Sequence, residues 1–124
     1  MPQQPNLPPE AQKKLQELQQ FQQQLQQIGQ QKQQMQMEKR ELNRALDALE
    51  ESEEDDDVFK VVGPAVIKST RDDLKDEFKE KKESIDVKVS SLEKKESQIQ
   101  EKAQKNQQEL QKTLTGGAEE DQAS

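Results

Sequence analysis

Val58-Phe59-Lys60-Val61-Val62-Gly63-Pro64-Ala65-Val66-Ile67-Lys68 is the stretch on which the fold turns. Here, and nowhere else in the chain, the composition switches to β-branched residues. Two short runs divided by Gly63-Pro64 read as a β-hairpin over residues 58–70. Gly-Pro is not among the favoured two-residue turn pairs, which leaves room for a wider loop. An isolated two-stranded ribbon is marginal and exposes two unpaired edges, lined here by Val, Phe and Ile, so it must find partner strands. Val58, Phe59, Val61, Val62, Ala65, Val66 and Ile67 are therefore the candidate oligomerisation residues.

Upstream of this stretch lies an acidic run, Glu50 to Asp57, and before that a glutamine-crowded region, residues 9–51. Composition alone would make the glutamine region low complexity, but its apolar spacing argues otherwise. Leu18, Phe21, Leu25, Ile28, Met35, Leu42, Leu46 and Leu49 fall on one series of alternating three- and four-residue steps, interrupted by Lys32 and Lys39. That is an a/d heptad seam and predicts a helix over 9–51. The series continues upstream through Lys14, Ala11 and Leu7. Pro8-Pro9-Glu10 suits a first helical turn, and the acids at the far end oppose the negative pole of the helix dipole and help to stop it. Gly29, inside the pattern, costs about 1 kcal/mol relative to alanine.

Downstream, Phe78, Ile85, Leu92 and Ile99 stand one heptad apart, with Val89, Ala103 and Leu110 at companion positions. A second helix over 71–114 follows, opened by a cap at Ser69-Thr70 with Asp72 and Asp73 in the first turn and closed at Gly116-Gly117. Residues 1–8 read as a flexible N-terminus and 115–124 as a disordered acidic tail. Helices of about 43 and 44 residues, each roughly 65 Å long at ~1.5 Å per residue, match well enough to fold back on each other. The fold class is thus mainly α: a single subunit, a long antiparallel coiled-coil hairpin with a short β-hairpin between the helices. Pairing positions whose numbers sum to about 124 sets Lys14, Lys32 and Lys39 against Leu110, Leu92 and Ile85, so many layers hold one apolar residue and one charged stem.

Composition removes most other functions. The chain has 124 residues, 36% charged, 27% hydrophobic and 2% aromatic, so an ordinary globular core is hard to build. Without Cys or His, thiolate nucleophiles, imidazole bases and the usual zinc sites are excluded, and the lack of cysteine fits a reducing, cytoplasmic setting. A net charge of −7 with mixed signs disfavours nucleic acid, and no apolar run approaches a membrane span. Gly29, Gly63, Gly116 and Gly117 are the only glycines, so neither a P-loop nor a dinucleotide fingerprint can be written. The Asp55 to Asp57 triplet lacks the glycine and terminal Glu of a calcium loop. No enzyme, cofactor or metal site is expected.

A proline-bearing start, a Gln-rich first helix, an acidic break, the Val58 to Lys68 hairpin and a second charged heptad helix together resemble the β class of prefoldin subunits of archaeal type. The likeness covers the whole chain, and Val58 to Lys68 is its most specific part. Phe59, where tyrosine is commoner in that family, and the long acidic run are departures. The resemblance implies a hexamer of two α and four β subunits whose strands build an intersubunit β-barrel with the coiled coils hanging from it. It further implies an ATP-independent holdase that captures unfolded client proteins at the coil tips and passes them to a group II chaperonin. The candidate client-binding residues are Leu7, Leu15, Leu18, Phe21, Leu110 and Leu114. Leu18 and Phe21 lie on the seam and read first as core, whereas Leu15 and Leu114 lie off it and read as client contacts. Met35 reads as seam. The alternative is a structural coiled-coil scaffold or tether, which has no need of a Val/Ile hairpin between equal helices.

Overall fold

A computed structural model describes residues 7–123, with side-chain surroundings for residues 7–115. Most of the N-terminal segment expected to be flexible lies outside the described residues. The element order is α1 (Pro9–Glu51), β1 (Val58–Val62), β2 (Ala65–Ser69) and α2 (Arg71–Ala123). α1 opens where the Pro8 carbonyl accepts the Gln12 amide at 3.1 Å. α2 opens on Thr70, whose Oγ1 accepts the Asp73 amide at 3.1 Å, a side-chain cap on an otherwise orphaned donor.

The end of α2 differs from expectation. The helix continues through Gly116-Gly117 to Ala123, so residues 115–123 of the tail read as disordered are helical, and Ser124 lies outside the described residues. Each glycine weakens a helix by about 1 kcal/mol but stops it only when the backbone turns into the left-handed region. Among the described residues only Gly63 has a positive φ. Ala118, Glu119 and Glu120 then resume good helix formers.

The chain divides into two units, residues 1–30 with 93–124, and residues 31–92. In the first unit, Lys14 Nζ bonds Glu109 Oε2 at 2.5 Å and Asn106 Nδ2 donates to Glu17 Oε2 at 2.9 Å. Three residues up α1 correspond to three down α2, so the segments run antiparallel. In the second unit, Lys39 bonds Asp86 at 2.6 Å and Glu50 pairs with Lys75, eleven up and eleven down. Every α1 seam position from Leu7 to Leu49 is buried or half-buried, the lysines included. Ala11, Ile28, Leu42 and Leu49 are buried on α1, and Leu74, Ile85, Ile99 and Leu110 on α2. The heads of Lys14 and Lys39 thus leave the seam for acids next to the apolar residues their stems face, Glu109 beside Leu110 and Asp86 beside Ile85.

The junction with the ribbon is held by Arg71. α1 ends in acids with no basic residue in its last turn, leaving its carbonyls and dipole uncompensated from within. Arg71 Nε donates to the Leu49 carbonyl at 2.8 Å and Nη2 to the Glu50 carbonyl at 3.2 Å, so the first residue of α2 caps the end of α1. The acidic loop folds on itself: Asp56 Oδ2 accepts the Glu53 amide at 2.8 Å while the Asp56 amide returns to the Glu53 carbonyl at 3.0 Å.

Gly29 is exposed on α1, and a Cβ built on it meets nothing within 4 Å. Gly29→Ala should therefore raise unfolding stability by about 1 kcal/mol, the helix-propensity difference, in a denaturant titration followed by circular dichroism. An unchanged midpoint would mean that this turn is not helical in solution.

Candidate functional site

The ribbon places its aliphatic residues on both faces. β1 and β2 pair antiparallel, Val58 with Ser69, Lys60 with Ile67, Val61 with Val66 and Val62 with Ala65. The loop is Gly63-Pro64 alone, without the widening that the sequence left room for. Gly63 has φ 56°, and proline brings a fixed negative φ, the sign pattern of a type II′ turn, which matches strand twist. Directly paired residues share a face. Phe59, Val61, Val66 and Lys68 therefore occupy one side, and Val58, Lys60, Val62, Ala65, Ile67 and Ser69 the other. Val61 is 73% exposed, Val66 66% and Phe59 57% on the first face; Val62 and Ile67 are also exposed on the second. The sheet has only these two strands, so each keeps one edge without a ladder partner.

Ion pairs tie the ribbon to α2 and to the acidic loop before it. Lys60 bonds Glu77 of α2, and Lys68 meets Asp57 at 3.3 Å. The hydrogen bond from Lys60 holds the Glu77 carboxyl below the ordinary carboxylate range. Lys75 does the same for Glu50, and Lys14 for Glu109.

The candidate residues near the chain ends separate by exposure, all within the first unit. Leu15 and Leu114 are 38% and 44% exposed; Leu7, Leu18 and Phe21 are half-buried; Leu110 is buried in the seam. Met35 is half-buried and Met37 exposed. Sequence reasoning missed Asn106, a seam position that is 5% exposed and whose Oδ1 has no hydrogen-bond partner among the described residues. Its place in the three-and-four series, three residues past Ala103 and four before Leu110, was the available signal. Among the described residues no helix is long and apolar enough to cross a membrane.

Two long helices joined by a two-stranded ribbon with exposed apolar residues on both faces define the class of the fold. The chain matches the prefoldin subunit family over residues 12–117 and belongs to it. It is similar to the prefoldin beta subunit from Thermococcus strain KS-1 in that protein's crystal structure, at 39% identity and a TM-score of 0.80, covering 90% of this chain and 97% of that one. No curated protein matches. Family and fold make the chain a chaperone subunit, from a non-enzymatic family whose members assemble with other prefoldin subunits.

Two predictions follow from the ribbon and its tethers. Val61→Asp and Ile67→Asp, each alone, should abolish assemblies of wild-type mass in light scattering while helical circular dichroism persists, because an unpaired buried carboxylate costs several kcal/mol whichever face it occupies. Retention of wild-type mass by one variant would leave that face outside the interface. Separately, Glu77→Gln should lower the melting temperature at neutral pH. Because the folded carboxyl titrates below its ordinary value of 4.5, its contribution is present above that pH and is lost as the pH falls through the depressed value. The gap between wild type and variant should therefore close on acidification; a gap that persists would assign it to lost packing.

Proposed function

We propose that this chain is a β-class subunit of an ATP-independent holdase, which captures unfolded polypeptides at the helix ends carrying the chain termini and delivers them to a group II chaperonin. In this reading two α-class and four β-class subunits assemble through their strands. The observation that carries it is the exposure of Leu15 and Leu114, two large aliphatic residues off the seam, in one unit near the start of α1 and late in α2. Closing a coil does not require them, and they are bulkier than solvation of a helix surface demands. Leu7, Leu18 and Phe21 are half-buried and keep part of their area available, while Leu110 has little left to offer. The four glycines build no nucleotide loop, which supports capture without ATP.

The expected affinity is low at each subunit. A leucine contributes roughly 1.5–3 kcal/mol when fully buried, before the cost of ordering the client, so one subunit binds poorly. Several subunits engaging one long flexible chain raise the overall affinity through effective concentration. Weak, multiple contacts also suit later transfer to another chaperone.

Leu15→Gln combined with Leu114→Gln should leave the assembly's mass unchanged and reduce suppression of client aggregation several-fold. Deleting Met1 to Leu15 together with Thr113 to Ser124 should reduce it further. Full protection by the truncated assembly would move capture to the coil flanks or the strands.

A further inference from the structure

At the root of the ribbon, within the unit formed by residues 31–92, lies a groove of about 400 Å³. Ala45, Ala48 and Leu49 of α1, Leu74 and Phe78 of α2, and Phe59 of β1 line it. Leu49 and Leu74 are buried and form its floor. The two alanines present only methyl groups on the α1 side, so no side chain of this subunit fills the space. Phe78 is half-buried and Phe59 mostly exposed, which leaves parts of two rings facing solvent. The polar lining is Ser52, whose hydroxyl is already engaged, donating to the Leu49 carbonyl at 2.6 Å. An occupant therefore finds apolar surface and little to hydrogen-bond.

We infer that this groove is a socket for an apolar side chain carried by the strand segment of a partner prefoldin subunit. The inference rests on the reading of the ribbon as the assembly element and adds a second contact to it. Continuity argues for that occupant: Val58 and Phe59 belong both to β1 and to the groove lining. A strand added to the free edge of β1 lies about 4.8 Å away and passes the mouth of the groove, delivering alternate side chains to the side it faces. Ladder hydrogen bonds are common to any added strand, so they select poorly among partners. A desolvated anchor in a shaped apolar pocket selects by size, as interface hot spots do. The groove would thus determine which subunit pairs with β1 and in which register.

Ala48 is exposed and off the seam, so Ala48→Trp can occupy the groove without disturbing the core. In the complex with its partner subunit, this variant should weaken assembly at least tenfold by analytical ultracentrifugation, with helical circular dichroism and melting temperature unchanged. Arg44→Trp, exposed and outside the groove, should assemble normally and serves as the control. Ala45→Phe, which fills the groove from its other alanine, should reproduce the defect if Ala48→Trp perturbs folding. Wild-type assembly by both filled variants overturns the socket, and if Val61→Asp still prevents assembly, the ribbon reading survives that loss. Normal assembly combined with lost client protection also overturns it, by making the occupant a client. If Val61→Asp assembles normally as well, the ribbon reading itself is wrong.

Discussion

The structure depends on one constraint: a two-stranded ribbon cannot bury its own surface. Its strands are five residues each, its two outer edges lack ladder partners, and aliphatic side chains stand on both faces. In water such an element is marginal, and its free edges are templates for pairing. The surrounding residues orient it rather than cover it. Lys60 reaches Glu77 of α2, Arg71 closes the carbonyls of α1 where the chain leaves that helix, and Gly63-Pro64 sets a twist-matched turn. The chain itself leaves these surfaces uncovered among the described residues, and it belongs to a family whose members assemble with other prefoldin subunits.

The helices work with a thin core. No described side chain is fully buried among the large residues, and several seam layers contain a lysine stem instead of an aliphatic group. Lys14 and Lys39 keep their methylenes along the seam and place their ammonium groups on Glu109 and Asp86. A seam so diluted specifies its register weakly through apolar contacts alone. Asn106 adds specificity at a cost: its amide meets Glu17 in the observed register, while its unpartnered oxygen represents desolvation of roughly 1–3 kcal/mol. A slip that is not a whole heptad would separate Asn106 from Glu17, whereas a one-heptad slip would bring Glu10 or Gln24 to its place, so Asn106 fixes the seam face more than the heptad.

What could be read from the sequence follows from how locally each feature is encoded. The α1 seam is a one-dimensional repeat, and each position on it, lysines included, is at least half-buried. The hairpin was legible because β-branched residues cluster in one place. The start of α2 was less so. The heptad through Phe78 points back to Lys75 as a companion position, yet Leu74 is the buried residue, giving steps of three, four and four from Arg71 to Lys82. Such a step unwinds the supercoil locally. It occurs where Arg71 is committed to the end of α1, a tertiary contact that no local pattern announces. Gly116-Gly117 misled for the opposite reason: it is a strong local stop signal that the backbone does not take up. For the candidate site, residue type separated ribbon from helix, but only the structure divided the leucines, Leu15 and Leu114 outward and Leu110 into the seam.

Under the proposed function, assembly and capture make opposite demands on apolar surface, and the residues proposed for each lie in different segments. A permanent interface is strengthened by contiguous branched side chains that stay desolvated once covered, and Val61, Val62, Val66 and Ile67 lie within seven consecutive residues. A reversible client site needs isolated side chains whose individual gain does not exceed what release can overcome. Leu15 and Leu114 fit that second demand, each standing among polar neighbours such as Lys14, Gln16, Lys112 and Thr113. Enlarging that surface would tighten capture but would equally favour pairing between free subunits through their ends, since exposed apolar patches do not distinguish client from copy. Keeping these leucines sparse and solvated therefore limits affinity and self-association by the same means.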